Sequence, residues 1–138
     1  MAEIHRLPDW PVRLHDYVDR VKRLQFDWGE HNCATFTAGA VEAMTGVNLA
    51  AEYGDFHTRE GALSVLRCRK LKTLADLAAL HLPEVAVSRA SIGDVVAIEF
   101  DSEFGCVLGV VNGETVLVLR PEGMGISFLT DAYRAFKV

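Results

Sequence analysis

An α+β domain is what the sequence predicts, with helices first and an antiparallel sheet second. Up to about residue 90, apolar residues recur at helical spacing behind residues that cap helices. From Ser91 onward they fall in short, β-branched runs separated by turn signals, among them Asn112-Gly113, a strong two-residue hairpin signal. Helices and strands segregated in this way define the α+β class. The 138 residues suffice for one domain with a genuine core, mainly helical over 1–90 and mainly sheet over 91–138.

Asp9-Trp10-Pro11 opens the first helix with proline in its first turn, and Leu14, Tyr17, Val18, Val21 and Leu24 mark its buried stripe. Asn32 caps the second helix, in which Cys33 leads Phe36, Ala40, Val41 and Met44 until Gly46 ends the run. A turn-rich stretch, 52–57, precedes Thr58, the cap of a short helix through Leu66. The small basic run 67–72 reads as a solvated face. Thr73 and Asp76 make a capping-box-like start for a fourth helix through Leu80. Ile92-Gly93-Asp94 is a turn before a largely buried strand, 95–100. A hairpin connection leads to 106–111, the Asn-Gly turn to 115–119, and a last short strand covers 125–129. Thr130 is then expected to cap a closing C-terminal helix, 131–136. The sheet should therefore hold at least four strands.

Composition excludes several classes of function. With 19 acidic and 14 basic residues the net charge is −5, and no basic cluster interleaves with aromatics, so no nucleic-acid face is expected. Cys33, Cys68 and Cys106 cannot all pair and form no CxxC unit, which argues against a disulfide scaffold or a zinc knuckle and for synthesis in a reducing cytosol. No HxH or HxxxH spacing occurs, so neither a metal nor another cofactor is expected. The N-terminus lacks the apolar segment of a signal peptide, and no apolar run approaches the roughly 20 residues of a membrane span. Membrane insertion is not expected. Gly123-Met124-Gly125 reads as a turn rather than a phosphate loop.

Cys33 is the residue with the clearest chemical potential. A thiol in the first turn of a helix faces unpaired N–H groups and the positive end of the macrodipole, and both favour the nucleophilic thiolate. The alternative is a small apolar residue packed under the helix. His31 lies two residues away, although side chains so spaced diverge on a helix. His57, in the turn after the second helix, could fold back over the helix start. His5, His15 and His81 read as surface or helix-face residues, and Trp10 and Trp28 as core or interface anchors.

Residues 28–36 contain Trp-Gly-Glu-His-Asn-Cys, 53–63 a Tyr/Phe turn before a Gly-Ala helix, 93–97 a Gly-Asp-Val strand, and 132–138 Ala-Tyr-Arg-Ala-Phe. In this order, from about residue 20 to the end, they resemble small NlpC-like proteins of phage and prophage tail-gene clusters, within the NlpC-type papain-like cysteine peptidase superfamily. The resemblance implies a papain-like fold with Cys33 as nucleophile and Asn32 where an aspartate is usual. It implies a histidine base at the start of the second sheet strand, in a His-Val-Gly-Ile-like pattern. That strand reads Cys106-Val107-Leu108-Gly109-Val110-Val111, and matching Gly109 to the pattern glycine makes Val107 the vestigial base position. Because this sheet region faces the nucleophile helix in the resembling fold, alternation could bury Cys106 next to Cys33. No histidine follows His81, so the standard dyad is absent and His57 or His31 would have to substitute as base.

The expected function is a tail component, associated with the tip or hub, whose hydrolase site is degenerate. Its partners would be other phage tail proteins, reached in part through Trp10, and its place the virion after synthesis in the host cytoplasm. The alternative is an active cysteine endopeptidase that cleaves peptidoglycan as the tail crosses the cell wall. An intracellular amidase or immunity-type protein is a third reading. Without an imidazole partner, Cys33 is expected to alkylate at the rate of an ordinary thiol.

Overall fold

Capping chemistry fixes where the helices begin. A computed structural model describes residues 4–24, 32–51, 58–120 and 123–138. Its helices are α1 (Trp10–Val21), α2 (Cys33–Thr45), α3 (Arg59–Cys68) and α4 (Leu74–Ala79). Asn32 and Thr73 each form a full capping box, with Thr35 and Asp76, and Thr58 accepts from the Gly61 N–H. Gly46, with φ at 80°, closes α2 in the left-handed conformation that glycine adopts most readily. Leu24, expected in the stripe of α1, lies beyond its last turn and is 51% exposed.

Helix α1 packs on α2 through Tyr17. Its hydroxyl donates to the Phe36 carbonyl at 2.8 Å, and its ring stacks on Phe36 with centroids 5.9 Å apart. Gly39 makes this possible, since a Cβ there would overlap the Tyr17 hydroxyl. We expect Gly39→Ala to destabilise the protein by about 1–3 kcal/mol through overpacking, against a helix-propensity gain of about 1 kcal/mol. Urea unfolding measures the difference, and a net gain in stability would show that Tyr17 does not need the close approach.

The strands are β1 (Glu84–Val85), β2 (Val95–Glu99), β3 (Cys106–Asn112), β4 (Thr115–Arg120), β5 (Gly123–Phe128) and β6 (Ala132–Phe136). They form one antiparallel sheet in the order β1-β6-β2-β3-β4-β5. Both faces of β2 are buried, which explains why it reads as an unbroken apolar run. Val95, Ala97, Cys106, Leu108 and Val110 belong to the main core with the helices. Val96, Ile98, Val107, Val111 and Ala135 belong to a second cluster, closed off by Val87, Ala90 and Leu129.

The chain end departs from expectation. The predicted closing helix over 131–136 is instead a 3₁₀ turn, Leu129–Asp131, followed by strand β6 between β1 and β2. A helix of six residues would make few internal hydrogen bonds, whereas β6 is paired on both sides. The Gly93-Asp94 turn meets this end of the chain. Asp94, only 2% exposed, accepts from Arg6 Nη2 at 2.9 Å, from the Val138 N–H at 3.1 Å and from the Ser91 N–H at 3.0 Å. Arg6 also donates to the carbonyls of Val138 and Ile92, so one carboxylate and one guanidinium tie both chain ends to the sheet.

Candidate functional site

Cys33 is the first residue of α2 and Cys106 the first of β3, two elements that pack together. Buried Asn32 accepts from the backbone N–H groups of Ala34 and Thr35, both at 3.0 Å, which fixes the helix start beneath Cys33. The Cys33 residue keeps some surface, but its sulfur is enclosed. Burial pushes the thiol up to about 11, and hydrogen bonds from the Leu108 and Ala34 N–H groups offset only part of that; negative charge on Cys106 pushes in the same direction as burial. Cys33 in the fold is therefore a neutral thiol at neutral pH, less ionised than the ordinary thiol the sequence implied.

Strand parity corrects the expected base position. Val107 lies in the second cluster, on the sheet face away from the helices, while Cys106 and Leu108 lie in the core against which Cys33 packs. Anchoring the register on Gly109 placed Val107 one residue off, and a slip of one residue moves a side chain to the opposite face. The site-facing positions on β3 are thus Cys106 and Leu108. Cys106 is buried, and burial raises its pKa. The N–H groups of Ala75 and Leu74 and the Tyr133 hydroxyl offset part of that rise.

Tyr133 reaches Cys106 because of a bulge. Ala97 pairs with Arg134 and Ile98 with Ala132, leaving Tyr133 as the extra residue in β6, and such bulges re-aim side chains. Burial raises the Tyr133 pKa and the neighbouring Cys106 pushes the same way, while Thr73, the cap of α4, opposes them. Next to it, Arg134 binds Glu84 with two nitrogens, at 2.9 and 3.0 Å, and Asp76 at 2.9 Å. The Arg134 hydrogen bond holds the Glu84 carboxyl below its usual range. For Asp76, burial pushes upward, but bonds from Arg134, Lys72 and Thr73 outweigh it. The sequence assigns Thr73 only a capping role and Tyr133 no role at the site, because reading 131–136 as a helix hides the strand that carries the phenol.

A slot of about 70 Å³ opens between α2 and α4, lined by Ala34, Val41, Leu74, Leu77, His81 and Leu108. It can admit a short aliphatic group beside the start of α2. Both proposed substitute bases, His31 and His57, lie outside the described residues, as do Trp28 and the turn 52–57. Trp10 opens α1, half-buried against the core, with the Arg6 guanidinium 4.1 Å above its ring, so one face of this expected interface anchor is already covered from within. Among the described residues no group of three or more His, Cys, Asp or Glu could hold a metal ion, and no helix is long and apolar enough to cross a membrane.

The chain matches a domain of unknown function, DUF6950, over residues 5–138 and belongs to that family. No curated protein matches it.

Proposed function

We propose that this protein is a non-catalytic component of a phage-like tail, associated with the tip or hub, that retains an NlpC-like, papain-like arrangement around a degenerate hydrolase site. The observation that carries the loss of activity is the partner of Cys33. Where a cysteine hydrolase needs an imidazole to take the thiol proton, β3 presents Cys106 and Leu108. A second thiol neither accepts that proton near pH 7 nor stabilises the thiolate. The capped cysteine at the start of α2 against a central antiparallel sheet is the layout that the resemblance implies. The tail setting and the tail-protein partners rest on the resemblance of the motifs around residues 28–36, 53–63, 93–97 and 132–138.

The direct test is sedimentation with purified tail particles, read by immunoblot, alongside a zymogram on peptidoglycan. Co-sedimentation without clearing of the zymogram is the expected result. A free monomer absent from particles would overturn the assignment. The second reading, an active cysteine endopeptidase acting on peptidoglycan, is favoured by the capping box that presents Cys33 at the mouth of α2. Clearing that disappears in Cys33→Ser would establish it.

A further inference from the structure

We propose that the sheet edge at β5 pairs with the same strand of a second copy of this chain, antiparallel about a two-fold axis between their Ile126 residues. β1 and β5 end the sheet, and they differ. β1 has two residues, and its Glu84 is held by Arg134, so it offers little to pair with. β5 has six, Gly-Met-Gly-Ile-Ser-Phe, with neither charge nor proline to keep another strand away. The Leu129 N–H donates to the Glu114 carbonyl, which sets the parity of the β4–β5 ladder. By alternation Gly123, Gly125 and Ser127 turn their backbone groups to β4, and Met124, Ile126 and Phe128 turn theirs to the sheet edge. The Phe128 N–H is already taken by the Asp131 carboxylate, on the side away from β4, as this parity requires.

Side chains select a second copy rather than an unrelated strand. Leu117 and Leu119, which face Ile126 and Met124 across the ladder, belong to the helix-side core, so Met124, Ile126 and Phe128 share that face. Met124 packs partly against this core, while Ile126 and Phe128 are 68% and 64% exposed. With the axis at Ile126, that side chain meets its own counterpart, and Phe128 meets Met124 of the second copy. Both pairs are apolar, and such cross-strand pairs stabilise an antiparallel ladder. Each Ile126 N–H donates to the Ile126 carbonyl of the other copy, and each Met124 N–H to the Phe128 carbonyl. An unrelated peptide added at β5 exposes a new edge, whereas self-pairing leaves only the two short β1 edges and closes the assembly at a dimer. Two paired edge strands make a small contact, so the dimer is weak and concentration-dependent. The contact is independent of the tail reading.

The test is sedimentation equilibrium of the full chain under reducing conditions, from about 5 µM to about 1 mM. We expect a monomer–dimer equilibrium. Ile126→Lys and Ile126→Glu each set like charges face to face at the axis and should each be monomeric, and their equimolar mixture should dimerise again. Ile126 is exposed in the single chain, so both variants retain the fold, which far-UV circular dichroism verifies. The wild type supplies a second measurement. Amide hydrogen exchange followed by NMR should slow severalfold at Met124 and Ile126 as the dimer forms, with Phe128, bonded to Asp131 in either state, as the reference. A monomer throughout the concentration range, a dimer indifferent to both charges, or variants that stay apart when mixed would overturn the proposal. So would Met124 and Ile126 amides that exchange alike at both ends of the range.

Discussion

Asp94→Ala should destabilise the fold by about 3–5 kcal/mol, the range for removing one partner of a buried ion pair. The carboxylate is 97% enclosed as a side chain in its pair with Arg6, whose own side chain is 18% exposed. Its removal strands a guanidinium and the backbone N–H groups of Ser91 and Val138 where water has little access. The loss is also topological, because Arg6 reaches the Val138 and Ile92 carbonyls from the same position. Asp94→Asn, which keeps an acceptor but not the charge, should cost less. A double-mutant cycle with Arg6→Ala, measured by urea unfolding, should give a coupling of about 1 kcal/mol or more. A loss below about 1 kcal/mol for Asp94→Ala, or no coupling, would mean that water satisfies the stranded donors and that the clamp is incidental.

This clamp illustrates what the sequence could and could not disclose. Gly93-Asp94 was legible as a turn because turn chemistry is local, as were the capping boxes at Asn32 and Thr73, whose partners lie three residues away. Beyond the local Ser91, the partners of Asp94 are Arg6 and Val138, 88 and 44 residues away, and no local pattern names them. The same distinction explains β6. Thr130 before Asp-Ala-Tyr-Arg-Ala-Phe is a reasonable helix start taken alone; the strand state of that segment is decided by β2, where Val95 pairs with Phe136, and by β1, which is only two residues long. Once 131–136 was read as a helix, Tyr133 had no route to the site. The candidate site itself was half legible. Cys33 at a helix start followed from capping, whereas Val107, reached by matching one glycine, lies on the sheet face away from the helices. Alternation counted from Cys106 through Leu108 to Val110 would have assigned the faces without it.

Folded Cys33 should react with iodoacetamide at pH 7 about 100-fold more slowly than Cys33 of the urea-unfolded chain. Burial takes its pKa from an ordinary 9.0 to about 11, and the thiolate fraction falls tenfold for each pH unit. The start of α2 opposes this, but a helix dipole contributes only about 0.3–1 kcal/mol, less than a tenfold change in ionisation. Desolvation therefore wins, and the pH–rate profile of the folded protein should inflect near 11. The sign of the linked stability follows. The folded state holds this proton more tightly than the unfolded chain, so the contribution is complete below about pH 9 and is lost as pH rises toward 11. Peptide mapping separates Cys33 from Cys68 and Cys106 in the same digest. An inflection well below pH 7, abolished by His31→Ala or His57→Ala, would reveal a base outside β3 and a thiolate held by an ion pair. Cys33 would then be armed, and the peptidase reading would replace the structural one.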